Sequence, residues 1–437
     1  MMKTKTCLFV GFAAVMSAFT SCKEANLFDE EDYKAYVASV FPVENIDPLH
    51  DWSTITKFPF RVEIGYTGSY TLKFYSDDPK YVSTRVLNTC SVDGNQTYDI
   101  HIAAPSISEN LYVSLVDDKG ACRTKAVKVS SSINNVVFSE DTSADEIVSS
   151  TLYPDVNQTY TFCFEENFPE PGDYDFNDVV MGVGVDKSVE NGTRYISISV
   201  KVRAVGSGSR LAAAMRLANI SAKDVVGTSY ERSGSKYYFF TQYGDQDMLP
   251  KFGDSNEFLT MRNSTDLVIP VFNDAHYFIS GGATQAALPV RNLYNTVTDK
   301  EDLSGVAVSP KTQTFKFAVN DATLFNNFSV KDIDLFILEE YNAGVFEVHT
   351  MPYKTAEVIN EWAAIKSDGS SPYGGNYPWA LLIPGDFQYP IEGLTIGKAK
   401  GNVIGGAYLK FYSWAQDHYS NRDWYNSPQD SKMVYPQ

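Results

Sequence analysis

The chain alternates apolar and polar residues with a period of two in many short segments. This pattern is typical of β-strands that bury one face. In the first third of the chain the segments are separated by turns such as Thr67-Gly68 and Asp93-Gly94. Several strands within roughly 80 residues predict a small antiparallel sandwich, for which a spacer or structural role is the simplest function. The segments are 60–66, 70–76, 97–103, 111–117 and 124–130.

The second part of the chain, from about residue 151, shows the same alternation, and helical periodicity is scarce there. Helices are predicted only at 357–365 and around Ala212–Ala218. The fold class is therefore predicted as all-β: a small N-terminal β-sandwich at 56–130, then a larger β-sandwich or jelly-roll-like domain with long loops at 151–437. Residues 131–150, rich in Ser and acids, are predicted to form a linker. The strand segments of the larger domain are 158–165, 179–186, 195–205, 237–243, 266–272, 314–320 and 332–338.

The N-terminus has the pattern of a secretion signal. Lys3 and Lys5 precede an apolar run, Leu8 to Phe19, that is too short to span a bilayer. The following Thr20-Ser21-Cys22 resembles a bacterial lipoprotein signal, and Lys23-Glu24 is similar to the export signal of surface lipoproteins of Bacteroidetes. We expect residues 1–21 to be a cleaved signal peptide, Cys22 to carry lipid, and 22–55 to be a tether. The expected location is the outer membrane, with the chain on the cell surface and touching the membrane only through its lipid; an ordinary secreted protein with an incidental Cys is the alternative.

Net charge limits the classes of ligand that the chain is expected to bind, and the cysteine content limits its disulfide bonds. The chain has 54 acidic and 36 basic residues, for a formal net charge of −18, which disfavours nucleic acid and favours a cation. Cys90, Cys122 and Cys163 would remain in the mature chain. A Cys90–Cys122 bridge is one possibility and buried apolar fillers are the other.

An acidic stretch, EENFPEPGDYDFNDVV at 165–180, lies between two predicted strands. Asp173, Asp175 and Asn177 fall at alternate positions with Asp178 adjacent, so a tight turn would bring several oxygens together. Such oxygens suit Ca²⁺, which takes six to eight of them. The spacing departs from an EF-hand after its opening, so we expect a different calcium loop, closed by Glu165, Glu166 or a carboxylate from a distant loop. The alternative is a solvated turn in which Asp and Asn cap backbone N–H groups.

The segment GDYDFNDVV also resembles the signature of the LruC-type domain (DUF4842), found in surface lipoproteins of Bacteroidetes and related bacteria. Further segments match that pattern in order, with one departure at Pro169-Glu170-Pro171, where the family often has Pro-Ser-Lys. The resemblance implies a surface β-domain and calcium, and it supplies no established activity. The matching segments are NIDPLHDWSTI (45–55), FEVHTMPYKTA (346–356), YPWALLIPGDFQYPIE (377–392) and YLKFYSWAQDHYSNRDWYNSP (408–428).

Catalysis has little support in the sequence. There is no GxSxG, HExxH, GxxxxGK[ST] or GxGxxG motif, and no catalytic residue is assigned. His349, in FEVHTMP, is expected to be a hydrogen-bonded structural residue. A carbohydrate-active enzyme with paired carboxylates is the alternative class.

Ligand binding has somewhat more support, from the C-terminal segment. Trp414, Trp424, Tyr425 and Asp423 combine flat apolar faces with hydrogen-bonding groups that suit a glycan or a protein. Core packing is the alternative, since YLKFYSW alternates like a strand with one buried face. The resulting hypothesis is a non-catalytic surface lipoprotein with a Ca²⁺-stabilised β-domain for adhesion or for glycan or protein binding. A structural, fimbria-like component is a further alternative.

Overall fold

Antiparallel β-sheets make up most of the regular structure, which confirms the all-β prediction. The computed structural model describes residues 41, 43, 45–140, 146–166, 172–239, 265–282, 292–341, 344–350, 378–397 and 406–436. No helix within these ranges is long and apolar enough to cross a membrane. The α-helices found there are short: α1 (Ala275–Ile279), α2 (Ala322–Asn327) and α3 (Lys410–Gln416).

The first domain is the predicted small β-sandwich. Its strands are β1 (Ile55–Ile64), β2 (Ser69–Tyr75), β3 (Val86–Asp93), β4 (Gln96–Pro105), β5 (Asn110–Val116), β6 (Ala121–Lys128), β7 (Asn134–Phe138) and β8 (Ile147–Ser149). One sheet has the order β4-β1-β7 and the other the order β3-β2-β5-β6-β8. Phe60 and Phe74 meet between the sheets with ring centroids 5.2 Å apart, so alternate residues of each strand supply the core.

The predicted linker at 131–150 contains two of these strands, so the first domain extends further than expected. β7 pairs in parallel with β1, and β8 pairs with β6. Asn134, Val136 and Phe138 are buried while Asn135 and Val137 are exposed. This short alternation was masked in the sequence by the surrounding Ser and acidic residues, which lie in the connections.

The larger domain packs two further sheets. Its strands are β9 (Thr159–Phe164), β10 (Val179–Glu190), β11 (Thr193–Ala204), β12 (Leu211–Ser221), β13 (Ser229–Arg232), β14 (Ser235–Tyr238), β15 (Asp266–Phe272), β16 (Leu293–Tyr294), β17 (Gly305–Val306), β18 (Lys311–Val319), β19 (Ile333–Tyr341), β20 (Gly344–His349) and β21 (Ala380–Pro384). The order β14-β13-β18-β11-β10-β9-β21 forms one sheet and β15-β12-β19-β20 the other. An apolar core lies between them, with residues such as Phe162, Ile198, Met215 and Leu335 fully buried.

Two local predictions in this domain are wrong. The residues around Ala212–Ala218 form strand β12 instead of a helix. The segment YLKFYSW at 408–414 leads into helix α3 instead of a strand. The helix predicted at 357–365 lies outside the described residues.

A second apolar cluster, here named the aromatic core, covers the other face of the seven-stranded sheet. Phe41, Val43 and Trp52 belong to it, so part of the predicted tether at 22–55 is packed into the larger domain. The predicted tether therefore extends too far towards the C-terminus, because these apolar side chains pack against residues that are distant in the sequence. The other buried members are Cys163, Tyr174, Phe176, Val180, Ala204, Leu381, Ile383, Phe387, Tyr389, Ile396, Ala407, Tyr408, Phe411, Trp414, Ala415, Trp424 and Val434.

Polar contacts fix the two domains against each other. The side chain of Asn326, on α2, accepts a hydrogen bond from the backbone N–H of Ser91 at 3.0 Å and donates to the Ser91 carbonyl at 3.1 Å. The Lys187 ammonium donates to Asn88 Oδ1 at 2.6 Å, and burial lowers the pKa of this lysine to about 8. Because these partners are buried, the hydrogen bonds specify one relative placement of the domains.

Cys90, Cys122 and Cys163 are free thiols, and all are buried. Burial raises the pKa of Cys90 to about 11 and that of Cys163 to about 12. Such thiols behave as small apolar residues. The filler interpretation therefore applies, and no Cys90–Cys122 bridge is present.

Candidate metal centre

The acidic stretch connects two neighbouring antiparallel strands, β9 and β10. Val179 pairs with Phe164, so the residues just beyond these positions face each other. Asp178 Oδ2 accepts a 2.6 Å hydrogen bond from the backbone N–H of Glu166. Strand pairing therefore brings together the two ends of the acidic stretch, of which residues 167–171 are not described.

Tyr174 and Phe176 anchor this loop. Both have positive φ angles, 55° and 56°, a conformation that is uncommon for bulky residues. Both rings are buried in the aromatic core, and Tyr174 packs against Phe41 with centroids 4.7 Å apart. Because the aromatic residues alternate with acidic ones, burying the rings directs Asp173 and Asp175 to the other side of the loop.

Glu165, Asp173 and Asp175 form what we call the three-carboxylate group. Each offers one oxygen, and these oxygens lie within 4.8 Å of one another. Glu165 accepts hydrogen bonds from the backbone N–H groups of Tyr174 and Phe176, at 2.7 and 3.2 Å. Asp175 accepts from the N–H groups of Asn177 and Gly393, at 3.1 and 2.9 Å. Backbone donors therefore hold two of the three carboxylates in place.

Two buried oxygens beside this group accept no hydrogen bond of normal geometry in the described part of the chain: Asn177 Oδ1 and Glu392 Oε2. The Thr296 side chain lies close enough to Glu392 to oppose the rise in its pKa. The Asn177 amide is fully buried, and its Nδ2 donates to the Pro390 carbonyl at 3.2 Å. Both oxygens face Gly206, where an added Cβ would lie 1.9 Å from Asn177 Oδ1 and 2.9 Å from Glu392 Oε2. Glycine is thus required at 206 to leave this space open.

Glu392 was missed in the sequence analysis, although a carboxylate from a distant loop was expected. It lies in the segment YPWALLIPGDFQYPIE that carried part of the family resemblance. Its turn docks on the acidic loop through the Pro390 and Gly393 contacts. The sequence signal that could have identified Glu392 was its position as the acidic last residue of this matching segment.

The remaining predicted site residues, Glu166 and Asp178, are adjacent to the three-carboxylate group. Glu166 is buried, and its Oε2 accepts a short hydrogen bond from Ser207 Oγ. Asp178 is half-buried and bonded to the Glu166 N–H. All six predicted positions thus lie in one region, with Glu392 as a seventh member.

The electrostatics of the region are dominated by uncompensated negative charge. Burial, followed by repulsion from Asp173 and Asp175, raises the pKa of Glu165 well above its ordinary value. Burial and neighbouring carboxylates also raise the pKa values of Asp175 and Asp178, and they raise that of Glu392 to about 7. No Lys or Arg in the described ranges forms an ion pair with these acids. A bound cation would supply the missing positive charge.

The burial of the acidic stretch bears on its two interpretations. The Asx-type contact from Asp175 to the Asn177 N–H is present, but Asp175 and Asn177 are only 1% and 0% exposed. A solvated turn does not match this burial. Carboxylate and amide oxygens, without a nearby thiolate, are the donors that hard cations such as Ca²⁺ use.

The predicted ligand-binding aromatics are placed differently from the expectation. Trp414 and Trp424 are 1% and 0% exposed, inside the aromatic core. Stacking on a ligand needs an exposed ring face, which neither has, so both are reassigned to the core. Tyr425 is half-buried, and the half-exposed Asp423 pairs with Lys410 at 2.9 Å.

A second group with metal-ligand side chains, Asp47, Asp417 and His418, lies at the junction of the N-terminal and C-terminal segments. Asp47 Oδ2 accepts from both the backbone N–H and Nδ1 of His418. Asp417 accepts from the Tyr419 N–H and from Ser420 Oγ. These hydrogen bonds explain why the three side chains lie together, since they join two segments that are distant in the sequence.

His349 lies apart from the acidic loop, in a buried polar network. Its Nδ1 is 2.8 Å from Asp334 Oδ2 and its Nε2 is 2.9 Å from Glu347 Oε2. Burial by itself would lower the pKa of His349, but the two carboxylates raise it to about 9. The imidazole is therefore charged at neutral pH and bonded on both sides, as expected for a structural residue.

Comparison with known proteins identifies the family. The model of a domain of unknown function, DUF4842, matches residues 191–425, a range that includes Glu392 and begins after the acidic loop. The crystal structure of a candidate lipoprotein from Bacteroides ovatus is similar, with a TM-score of 0.54 and 15% identity over 84% of this chain and 98% of that chain; at this identity it supports the fold alone. No curated protein matches. Since the family model covers more than half of the residues, the chain belongs to the DUF4842 family.

Proposed function

We propose that the chain is a non-catalytic, lipid-anchored protein of the outer cell surface whose larger β-domain is stabilised by Ca²⁺ and binds a glycan or protein ligand. The observation that carries the calcium part is the three-carboxylate group with its buried, unpartnered neighbours Asn177 Oδ1 and Glu392 Oε2. Buried carboxylates at this density are costly without a counter-charge. A cation that binds the folded chain and not the unfolded chain would offset that cost.

The lipid anchor is supported by the N-terminal pattern ending in Cys22. The structural neighbour from Bacteroides ovatus is described as a lipoprotein, which agrees with such an anchor. A single acyl chain binds membranes weakly, so stable attachment would use more than one chain at the modified cysteine. Surface exposure rests on Lys23-Glu24 alone.

Ca²⁺ is expected to raise the melting temperature of residues 23–437. At a free concentration 100 times the dissociation constant, binding to the native state adds about 2.7 kcal/mol, which corresponds to roughly 4–5 °C for a domain of this size. The measurement is calorimetry of chelator-stripped protein with and without millimolar Ca²⁺, and with Mg²⁺ as the ion control. Asp173→Asn with Asp175→Asn should abolish the gain, whereas the exposed control Asp99→Asn should retain it. An unchanged melting temperature in Ca²⁺ would contradict the calcium proposal.

Ligand binding is tested with a glycan array probed by the same Ca²⁺-loaded protein. We expect binding that Tyr425→Ala or Asp423→Asn weakens at least tenfold, since these side chains are the accessible members of the predicted set. Turnover of a bound glycan would replace this proposal with the carbohydrate-active enzyme alternative. Absence of any glycan or protein ligand would favour a structural, fimbria-like component.

A further inference from the structure

A small cavity lies at the junction of the two domains, and none of the residues that line it belongs to the acidic stretch. Its wall is formed by β3 of the first domain, by β10 and the start of β9 in the larger domain, and by the residues that follow α2. The cavity has room for about one particle of the size of a water molecule. An organic ligand is therefore too large, and only water or a small ion fits. The wall includes the polar residues Asn88, Thr89, Asn157, Gln158, Lys187 and Ser329.

Lys187 is the one charged residue among those that line the cavity, and it is only 8% exposed. An ammonium group has three N–H donors. Two of them are used, by Asn88 Oδ1 at 2.6 Å and by the backbone carbonyl of Asn326 at 3.2 Å. The third has no acceptor among the residues that the structure describes. A buried, positively charged donor is therefore available at the cavity wall.

The charge of Lys187 has no anionic partner in the described ranges. Its two acceptors are neutral amide oxygens, and no described carboxylate forms an ion pair with it. Asp332, which acts on Lys187 electrostatically, pairs instead with Lys57 at 2.7 Å. Buried charges in proteins are normally paired, because burial without a counter-charge is costly. The lowered pKa of Lys187 agrees with this missing partner.

Two side-chain amides of the wall can add further donors. Asn157 Nδ2 donates to Asp186 at 2.9 Å, and Gln158 Nε2 donates to the Thr159 carbonyl at 2.7 Å. Each amide has two N–H groups, so one of each is left for a ligand. A wall with an ammonium, two amides and no carboxylate suits an anion and disfavours a cation. Water could accept the same hydrogen bonds, but it would not supply the missing negative charge.

The acidic character of the whole chain does not oppose an anion at this place. The formal net charge is −18, but at physiological salt exposed charges are largely screened beyond about 8 Å. Inside the junction, the nearby pair of Lys57 and Asp332 contributes opposite charges, which leaves the Lys187 ammonium uncompensated. Local charge therefore favours a negative ion.

We propose that the junction cavity binds one small monovalent anion of about the size of chloride, with the Lys187 ammonium as its main donor and the amides of Asn157 and Gln158 as further donors. This site is independent of the calcium site. Since Lys187 bonds Asn88 of the first domain, an anion that keeps the lysine charged also strengthens the contact between the domains.

The test is thermal unfolding of residues 23–437 at pH 7, with chloride replacing gluconate at fixed ionic strength and with calcium gluconate held constant. Gluconate is too large for the cavity. At about ten times the dissociation constant, we expect chloride to raise the melting temperature by roughly 2–4 °C, and the rise should saturate. Lys187→Met should lose this rise, and the exposed control Lys201→Met should keep it. No saturable rise in the wild type, or an equal rise in Lys187→Met, would overturn the proposal.

A second measurement uses the wild type alone, because Lys187→Met also removes two buried hydrogen bonds and could fail to fold. Crystals are grown with bromide in place of chloride, and bromide is located by its anomalous scattering. We expect one bromide in the junction cavity, within hydrogen-bond distance of Lys187 Nζ. A cavity that contains only water under these conditions would overturn the anion site.

Discussion

Asp334→Asn is expected to lower the free energy of unfolding by about 3–5 kcal/mol, because it leaves buried cations without their central partner. Asp334 is fully buried, and its Oδ2 lies 2.9 Å from Arg216 Nη2 and 2.8 Å from His349 Nδ1. Glu347 and Asp266 bond the far sides of these cations, at 2.9 and 2.7 Å. Neutralising the carboxylate would therefore place two positive groups next to each other in a low-dielectric interior.

Urea denaturation monitored by circular dichroism measures this loss. The matched control is Asp99→Asn, which breaks the exposed pair with Arg61 and should change stability far less. Equal losses for the two variants would mean that the network contributes no more than a surface ion pair. Arg216→Met should also destabilise the fold, since Asp334 would keep only His349 as a cationic partner.

Trp424→Ala is expected to cost about 3–5 kcal/mol of unfolding free energy, the usual range for removing a buried Trp. The ring is fully buried, and its centroid lies 5.1 to 5.5 Å from those of Phe387, Tyr408, Phe411 and Trp414. Phe387 follows β21 and the other three lie at 408–414, so the cavity could close only by moving two packed segments towards each other. The same denaturation measurement applies, with the exposed Tyr419→Ala as control.

The Trp424 result also distinguishes core packing from ligand recognition. A core residue loses stability on truncation whether or not a ligand is present. A ligand-stacking residue would leave the melting temperature nearly unchanged and reduce binding instead. A stable Trp424→Ala variant with weakened glycan binding would therefore reinstate the original prediction.

Most strands of both sandwiches could be predicted from alternation, because one buried face imposes a period of two on the sequence. The run around Ala212–Ala218 could not, since a row of alanines has high helix propensity. In the structure it lies between β15 and β19, and both of its faces are buried. Small side chains fit this central position, so tertiary packing overrides the local preference.

The error at α3 has a related cause. Phe411, Trp414 and Ala415 are the buried residues of this helix, at the i, i+3, i+4 spacing of one helical face. Over only seven residues, that spacing and a period of two share several positions. The contact partners, which lie far away in the sequence, decide between them.

The metal centre shows a similar limit. Glu165, Asp175 and Asp178 lie in one continuous stretch between two predicted strands, so the sequence could predict that they come together. Glu392 was not predictable in position, because β21 must first pair with β9 before its following turn reaches the loop. Sequence spacing contains no information on that pairing.

The packing of Phe41 against Tyr174 has a mechanical consequence. Phe41 is the described residue nearest in sequence to Cys22, and it belongs to the larger domain's aromatic core, so tension on a lipid at Cys22 would be carried into that core through Phe41. Through this contact the pull would reach the larger domain before it reaches the first sandwich, whose first strand begins at Ile55. The pull acts on the ring between Asp173 and Asp175, so the residues that hold the loop in shape are also those that would bear the force.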